Sequence, residues 1–100
     1  MIIAENWIND IALTLNEDPA KVREKNLFRK GQKTHFNQEI EEDALYRCWQ
    51  KCLKQSGYYE TREELETFNN QHRFKKRGIS IIPTMFGISF TVQYMNQAGK

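Results

Sequence analysis

The chain lacks the long apolar run that a membrane-spanning helix requires. No window in its 100 residues approaches the roughly 20 consecutive apolar residues that cross a bilayer. Near the N-terminus it carries Glu5 and Asn6, where a signal peptide would have basic residues. We therefore expect a soluble protein without a membrane partner, located in the cytoplasm or, as an alternative, in peroxisomes.

The chain also has few cysteines and only a small net charge. The two cysteines, Cys48 and Cys52, lie four positions apart in a predicted helix, where a disulfide would close only a very small loop. Reduced thiols suit a cytosolic protein. The formal net charge is only +2, with an isoelectric point of about 8.6, which is too small to indicate a polyanionic partner from bulk charge.

Self-contained catalytic motifs are missing as well. The sequence has no nucleophile elbow, phosphate-binding loop or dinucleotide fingerprint. Four acidic residues crowd together in a predicted loop with no basic or apolar setting to shift their pKa values, so we expect them to be solvated. These residues are Glu39, Glu41, Glu42 and Asp43.

A zinc site would have to combine Cys48 and Cys52 with His35 and His72, whose separation does not fit the usual ligand pairs. Both cysteines share a stripe with apolar neighbours in the predicted helix, so we interpret them as buried, unreactive thiols. We predict that this chain binds no metal directly.

Four helices are indicated by apolar residues at three- and four-residue steps. The first includes Ile3 through Leu15, and Asp18 followed by Pro19 predicts the N-cap of a second that ends near Lys25. Gly31 is expected to mark the break after this helix. Residues 32–43 are predicted to form a surface connection in which a few apolar side chains point inward. These anchoring side chains are His35, Phe36 and Ile40.

A third helix is predicted from Ala44 through Leu53, with Gly57 ending it. A fourth is predicted to begin at the capping box formed by Thr61 and Glu64. Its apolar face carries Leu65, Phe68 and His72, and the basic residues Arg73, Lys75, Lys76 and Arg77 are expected to close it before Gly78 turns the chain.

Beyond Gly78 the pattern changes to that of β-strands. One run contains Ile79, Ile81 and Ile82; after Pro83, a second run alternates apolar and polar residues over positions 86–95. The expected fold class is therefore α+β, as an incomplete piece of one larger domain. Residues 1–77 are predicted to be mainly helical and residues 78–100 to form strands whose partners lie beyond Lys100.

The cluster from His72 to Gly78 interleaves aromatic and basic residues, as surfaces that bind nucleic acids do. The alternative is a solvated helix end whose cations complement the helix dipole, and the balanced total charge favours it. A small basic nucleic-acid-binding module remains one hypothesis for the chain.

A long stretch of the sequence resembles the xanthine dehydrogenase and oxidase family. The run is KKRGISIIPTMFGISFTV at positions 75–92, followed by NQAG at 96–99. Shorter matches occur upstream at the same spacing: IAE at 3–5, VR at 22–23, KNL at 25–27, THFNQ at 34–38 and RCW at 47–49. The resemblance therefore covers essentially the whole chain.

This resemblance implies a segment of the molybdopterin-binding region of a molybdenum hydroxylase, with iron-sulfur clusters and FAD in other domains of the parent. The family hydroxylates purines, converting hypoxanthine and xanthine to urate, and passes electrons to NAD or oxygen. The parent is expected to be a homodimer in purine catabolism, and the segment alone is expected to be inactive and to bind no cofactor. A remnant of a broken gene is a further alternative.

Two positions match family residues that contact the substrate. Phe90 resembles the aromatic residue that packs edge-on against the purine, and Thr91 resembles its hydrogen-bonding neighbour. No catalytic residue is expected in this segment. Met85 departs from the family, which usually has lysine there, as does Lys100, where a small residue is usual. The retained Thr91 favours a purine hydroxylase over an aldehyde oxidase.

Overall fold

The computed structural model describes residues 2–84, and these form four helices. They are α1 (Ile2–Leu15), α2 (Pro19–Lys25), α3 (Ala44–Ser56) and α4 (Tyr58–Gln71). Consecutive helices pack in pairs, α1 against α2 and α3 against α4. The helical part of the predicted fold is therefore confirmed, with all four helices in the expected order.

Two of the predicted helix ends are formed as expected. The side-chain Oδ1 of Asp18 accepts a hydrogen bond of 2.7 Å from the Ala20 backbone N–H, and Pro19 opens α2. Gly57 ends α3 in the left-handed conformation, with φ of 57° and ψ of 41°, and its N–H reaches the carbonyls of Leu53 and Lys54.

The start of α4 differs from the prediction. The helix begins at Tyr58, directly after Gly57, and Thr61 is already inside it, donating from its backbone N–H to the Gly57 carbonyl over 2.9 Å. No side chain caps this end, so the predicted capping box is wrong. A single left-handed glycine both ends α3 and starts α4, and burial of Tyr58 places the first turn against the core.

The other end of α4 is also earlier than expected. The helix finishes at Gln71, with His72 in an extended backbone conformation as its C-cap. The basic residues 73–77 therefore follow the helix instead of forming its last turn. The cations still lie near the negative end of the helix dipole, because the chain turns back toward α4 after His72.

The connection between α2 and α3 is a small hairpin-like loop. Its backbone bonds join Gly31 N–H to the Ile40 carbonyl over 2.8 Å and Thr34 N–H to the Gln38 carbonyl over 2.9 Å. Ile40 is half-buried, but His35 and Phe36 are exposed and pack edge-to-face on each other. The prediction that these two rings point inward is wrong, because the tight turn directs them to solvent.

The core joins α2 to the α3–α4 pair. Its buried members are Ala20, Leu27, Trp49, Leu53 and Tyr58, with Leu45, Tyr46, Ile79 and Ile81 packed against them. The indole Nε1 of Trp49 is buried and has no hydrogen-bond acceptor among residues 2–84.

The cysteines lie outside this core. Cys48 and Cys52 are both exposed free thiols, so the prediction that they are buried is wrong. Trp49 and Leu53 hold the centre of the buried face of α3, and the residue before each lies about 100° round the helix, which is enough to reach solvent. A shared helical stripe therefore did not ensure shared burial.

The described part of the predicted strand region forms no strand. Residues 78–84 have neither helical nor strand structure, although Ile79 and Ile81 are partly buried while Ser80 and Ile82 are exposed. The alternation of burial is present, but no strand within residues 2–84 lies beside this run to form a ladder. The second predicted strand, at positions 86–95, lies outside the described residues.

The membrane prediction can be compared with the helices of the structure. Over residues 2–84, none of the helices has the length and apolar character that crossing a membrane would require.

Candidate functional site

The two predicted substrate-binding residues, Phe90 and Thr91, lie outside the described residues and stay predictions. The described chain leading toward them passes a cluster at the end of α4, which we call the α4 junction. Its members are Phe68, Asn69, His72, Lys76 and Arg77.

Asn69 is the centre of the α4 junction. Its side-chain Nδ2 donates to the Arg77 carbonyl over 2.9 Å, and its Oδ1 accepts from the Arg77 backbone N–H, also over 2.9 Å. A side-chain amide thus satisfies both backbone groups of one residue, as a neighbouring strand would do. This pair of bonds holds Arg77, near the start of the family-like stretch at 75–92, against α4.

An aromatic ring supports the same junction. The His72 ring stacks on Phe68 with centroids 4.0 Å apart and an interplanar angle of 17°, and the Arg77 guanidinium lies 4.1 Å from the Phe68 centroid. Arginine above an aromatic face is a cation–π contact. The His72 Nδ1 also lies 2.9 Å from the Phe68 carbonyl.

Two residues of the basic cluster, Lys76 and Arg77, contact α4 in this way. The Lys76 ammonium donates to the Asn69 carbonyl, one of the carbonyls in the last turn of α4. This contact agrees with the dipole interpretation of the cluster. Arg73 lies 5.1 Å from the ring centroid of its exposed neighbour Phe74.

A second polar cluster joins the link between α1 and α2 to α4. Besides capping α2, Asp18 accepts from the Tyr58 hydroxyl over 3.2 Å and pairs with Arg62 Nη1 over 3.1 Å. Burial, with the negative charge of Asp18 as a further cause, raises the pKa of Tyr58. The pKa of the Arg62 guanidinium is also raised: burial acts against its charge, but the Tyr58 hydroxyl and Asp18 outweigh it.

A third cluster, which the sequence did not reveal, joins α1 to α2. Arg23 is buried and donates from Nε to Glu5 Oε2 over 2.8 Å and from Nη2 to Asn9 Oδ1 over 2.9 Å. Glu5 and Asn9 are spaced one helical turn apart and therefore share a face of α1. That spacing was the available signal, but nothing local identified the partner in the next helix.

The acidic loop has a basic setting that the sequence analysis did not expect. Asp43 Oδ1 accepts from the Lys30 backbone N–H over 2.8 Å and from Arg29 Nε over 3.2 Å. The Lys30 bond, followed by the Arg29 bond, lowers the pKa of Asp43. Arg29 also lies 3.7 Å from the Tyr46 ring centroid. The prediction that no basic neighbour shifts its pKa is therefore wrong for Asp43, although its side chain is still 35% exposed to solvent.

Residues 2–84 bring together no group of three or more histidine, cysteine, aspartate or glutamate side chains able to hold a metal ion. The clusters around Asp18 and Arg23 connect helices, and the α4 junction and the Asp43 contacts each hold one helix end against a neighbouring segment. What they can do chemically is to hold the four helices and the following segment in one arrangement.

Comparison with known proteins identifies the wider context. No family model matches the chain. It is 50% identical to xanthine dehydrogenase/oxidase of Felis catus and 52% identical to that of Gallus gallus, in each case over 99 residues. Xanthine dehydrogenase of Dictyostelium discoideum is 44% identical over the same length. Each match covers 99% of this chain but only 7% of the relative.

These matches place the chain in a class: it corresponds to one segment of a much larger type of polypeptide. Within that class, its sequence is similar to xanthine dehydrogenases and oxidases along 99% of its length, at 41–52% identity, which confirms the resemblance seen in the sequence. The two alternatives, an aldehyde oxidase segment and a nucleic-acid-binding module, are not favoured by these relatives.

Proposed function

We propose that the polypeptide carrying this sequence is a molybdenum-dependent purine hydroxylase that converts hypoxanthine and xanthine to urate. The observation that carries the proposal is the identity of 41–52% to xanthine dehydrogenases and oxidases from animals, a plant and an amoeba along 99% of the chain. Because the chain spans only 7% of these relatives, it supplies one part of that activity.

In this proposal the segment contributes substrate contacts and a scaffold. Phe90 packs edge-on against the purine, the geometry that aromatic quadrupoles favour, and Thr91 hydrogen-bonds to its polar rim. The α4 junction supports the role of scaffold, because Asn69 and Phe68 both hold Arg77 against the helix upstream of these residues. The isolated chain is expected to be catalytically inactive.

The proposed reaction requires redox cofactors. A purine C–H and water become a C–OH group, while two electrons and two protons leave for the acceptor; molybdopterin with molybdenum, iron-sulfur clusters and FAD supply this chemistry when bound. The described residues do not fit a ligand set for these groups, since Cys48 and Cys52 are exposed and have no further cysteine or histidine beside them among residues 2–84. We expect the cofactors to be bound by other parts of the polypeptide, which is proposed to work as a homodimer.

The first test is the intact mass of the native polypeptide, detected with an antibody against positions 75–92. We expect a product many times heavier than the 11.9 kDa of this chain, which contains molybdenum and forms urate from xanthine. A native species of that small mass would contradict the proposal, as would a large product without xanthine-dependent urate formation.

The second test concerns Phe90 in the full-length polypeptide. Phe90→Ala should lower kcat/KM for xanthine by about tenfold, since an edge-to-face aromatic contact contributes about 0.5–1.5 kcal/mol beyond its buried area. The melting temperature should change little. Phe86→Ala, at the same phase of the sequence alternation, is the matched control and should spare the kinetics. Unchanged purine kinetics with a lowered melting temperature for Phe90→Ala would make Phe90 a core residue.

Thr91 needs its own variant, because successive strand residues point to opposite faces. If Phe90 meets the purine through its side chain, Thr91 is expected to act through its backbone. Thr91→Val should then leave kcat/KM for xanthine within about twofold, because the removed hydroxyl makes no substrate hydrogen bond. A large loss of kcat/KM would show that the hydroxyl itself contacts the purine.

A further inference from the structure

Helix α1 carries an apolar row that no described residue covers. Ile3, Trp7, Ile11 and Leu15 recur every four positions, and their exposed fractions are 67%, 65%, 49% and 61%. Positions spaced in this way drift by about 40° per step around the helix axis, so the four side chains form a continuous band about 120° wide, which we call the α1 stripe. Single exposed apolar side chains are ordinary, but a contiguous apolar row marks an interaction surface.

The contacts of α1 with α2 fix the direction of the α1 stripe. Glu5 and Asn9, on another side of the helix, both bind the buried guanidinium of Arg23, and Ala12 is fully buried. Turning the stripe inward would break the Arg23 bonds and leave a buried charge without its partner. The stripe is therefore held outward by the fold itself.

The charges of α1 indicate which kind of surface would cover the stripe. Its charged residues are Glu5 and Asp10, both acidic, and it contains no lysine or arginine. Helices that lie on membranes usually carry basic residues on their polar face, because these are attracted to anionic lipids. The composition of α1 thus favours an apolar protein surface over a lipid surface.

We propose that the α1 stripe docks against an apolar surface supplied by the rest of the same polypeptide. This inference rests on the proposed function, in which the sequence is part of a long chain. The matched relatives extend far beyond this segment, since it covers only 7% of their length, so most of such a polypeptide lies outside the structure. An intramolecular partner also has an effective concentration of about millimolar or more, which a second copy does not reach in a dilute solution.

The experiment is hydroxyl-radical footprinting of the native full-length polypeptide, read by mass spectrometry and compared with the same polypeptide in concentrated urea. We expect native Trp7 to be modified at least about tenfold more slowly than in urea, because docked interface residues are packed as densely as a protein interior. Leu13 is the internal control. It lies on the same helix, off the stripe, with an exposed fraction of 82%, and it should stay reactive.

A matched pair of variants provides a second readout. Trp7→Asp should lower the melting temperature of the full-length protein by several degrees more than Leu13→Asp, because only the first buries a charge at an interface. Native Trp7 modified at its rate in urea would overturn the inference. So would equal protection of Leu13, since the docking would then not be confined to the stripe.

Other occupants are distinguished by the same measurement. Protection of Trp7 that is present only in the dimer would assign the stripe to a second copy, and protection that requires added phosphatidylcholine vesicles would assign it to a lipid surface. Either result overturns the intramolecular proposal. Footprinting does not depend on turnover, so a protected Trp7 in a protein that makes no urate would sink the proposed function alone. A reactive Trp7 in an active hydroxylase would sink only this inference.

Discussion

Arg23 and Glu5 form a buried ion pair between α1 and α2, with 2.8 Å between Nε and Oε2. The Arg23 side chain is 3% exposed and that of Glu5 is 19% exposed. Asn9 accepts a further hydrogen bond from the same guanidinium. Charges removed from water in this way stabilise a fold only while both partners are present.

We therefore predict that Arg23→Met lowers the free energy of unfolding by about 3 kcal/mol, because it leaves the Glu5 carboxylate partly buried and unpaired. Urea unfolding followed by helical circular dichroism measures the loss. The matched control is Arg47→Met, whose partner Glu42 and own side chain are 70% and 67% exposed. That control should cost about 0.5 kcal/mol or less, as exposed ion pairs do.

The same pair offers an internal check. Combining Glu5→Leu with Arg23→Met should recover most of the loss, since no unpaired charge then remains in the interface. A double variant as unstable as Arg23→Met alone, or a single variant no worse than Arg47→Met, would contradict a stabilising role for the pair.

Asp43 should contribute to the acid dependence of stability. Its pKa is lowered from the ordinary value of 3.8 by the Lys30 N–H and then by Arg29. A carboxyl whose folded pKa is depressed stabilises the fold above its unfolded pKa, and this contribution is lost as the pH falls through the folded pKa. Asp43→Asn should therefore flatten part of the decrease in melting temperature below pH 3.8. Identical acid limbs for the two proteins would show that Asp43 is not coupled to folding.

Tyr58 should affect stability at neutral and alkaline pH. Tyr58→Phe removes the hydroxyl that bonds to Asp18 and accepts from Arg62, each over 3.2 Å, and should cost about 1 kcal/mol at neutral pH. Tyr59→Phe is the control, because no hydrogen bond of the Tyr59 hydroxyl is formed within residues 2–84. Equal stability of the two variants at neutral pH would exclude a role for the Tyr58 hydroxyl.

The alkaline limb follows from the raised pKa of Tyr58. Because burial raises this pKa above its ordinary value of 10.0, the stabilisation is complete below pH 10.0 and is lost as the pH rises through the folded pKa. Tyr58→Phe should therefore show a weaker loss of melting temperature above that pH. A steeper alkaline limb in the variant would reverse the expected sign.

Asn69 should control the accessibility of the segment after α4. Asn69→Ala removes both bonds to the Arg77 backbone, and tryptic cleavage at the basic residues 75–77 should become roughly fivefold faster, equivalent to about 1 kcal/mol of lost hydrogen bonding. Asn69→Asp keeps the acceptor for the Arg77 N–H and should be intermediate. Asn70→Ala, at the exposed neighbouring position, should match the unchanged protein. Equal cleavage rates for Asn69→Ala and Asn70→Ala would mean that the paired bonds do not hold the segment.

Helix positions and two of their ends could be predicted because their causes are local. Asp18 with Pro19 starts α2 through a hydrogen bond only two residues away, and Gly57 ends α3 through a backbone conformation that glycine adopts without cost. Thr61 and Glu64 show the limit of such local reasoning. Their capping signal is valid by itself, yet α4 had already begun at Tyr58, whose buried ring packs in the core.

The polar clusters could not be predicted, since their partners are distant in sequence. Arg23 is 18 positions from Glu5, and Tyr58 is 40 positions from Asp18. Nothing in either local pattern selects one partner among the many charged residues of the chain. The family-like stretch was nevertheless recognisable, because its similarity to known proteins is carried by residue identity and does not require a fold.

The sequence by itself determined the relation to xanthine dehydrogenases, the four helices and the left-handed turn at Gly57, all of which depend on residue identity or on neighbours within a few positions. Only the tertiary structure decided which faces of those helices are buried. In it Cys48 and Cys52 are exposed to solvent, Asn69 hydrogen-bonds to Arg77, and the α1 stripe faces outward. The physical reason is that burial depends on what each face meets across space, and helical periodicity alone does not specify that partner.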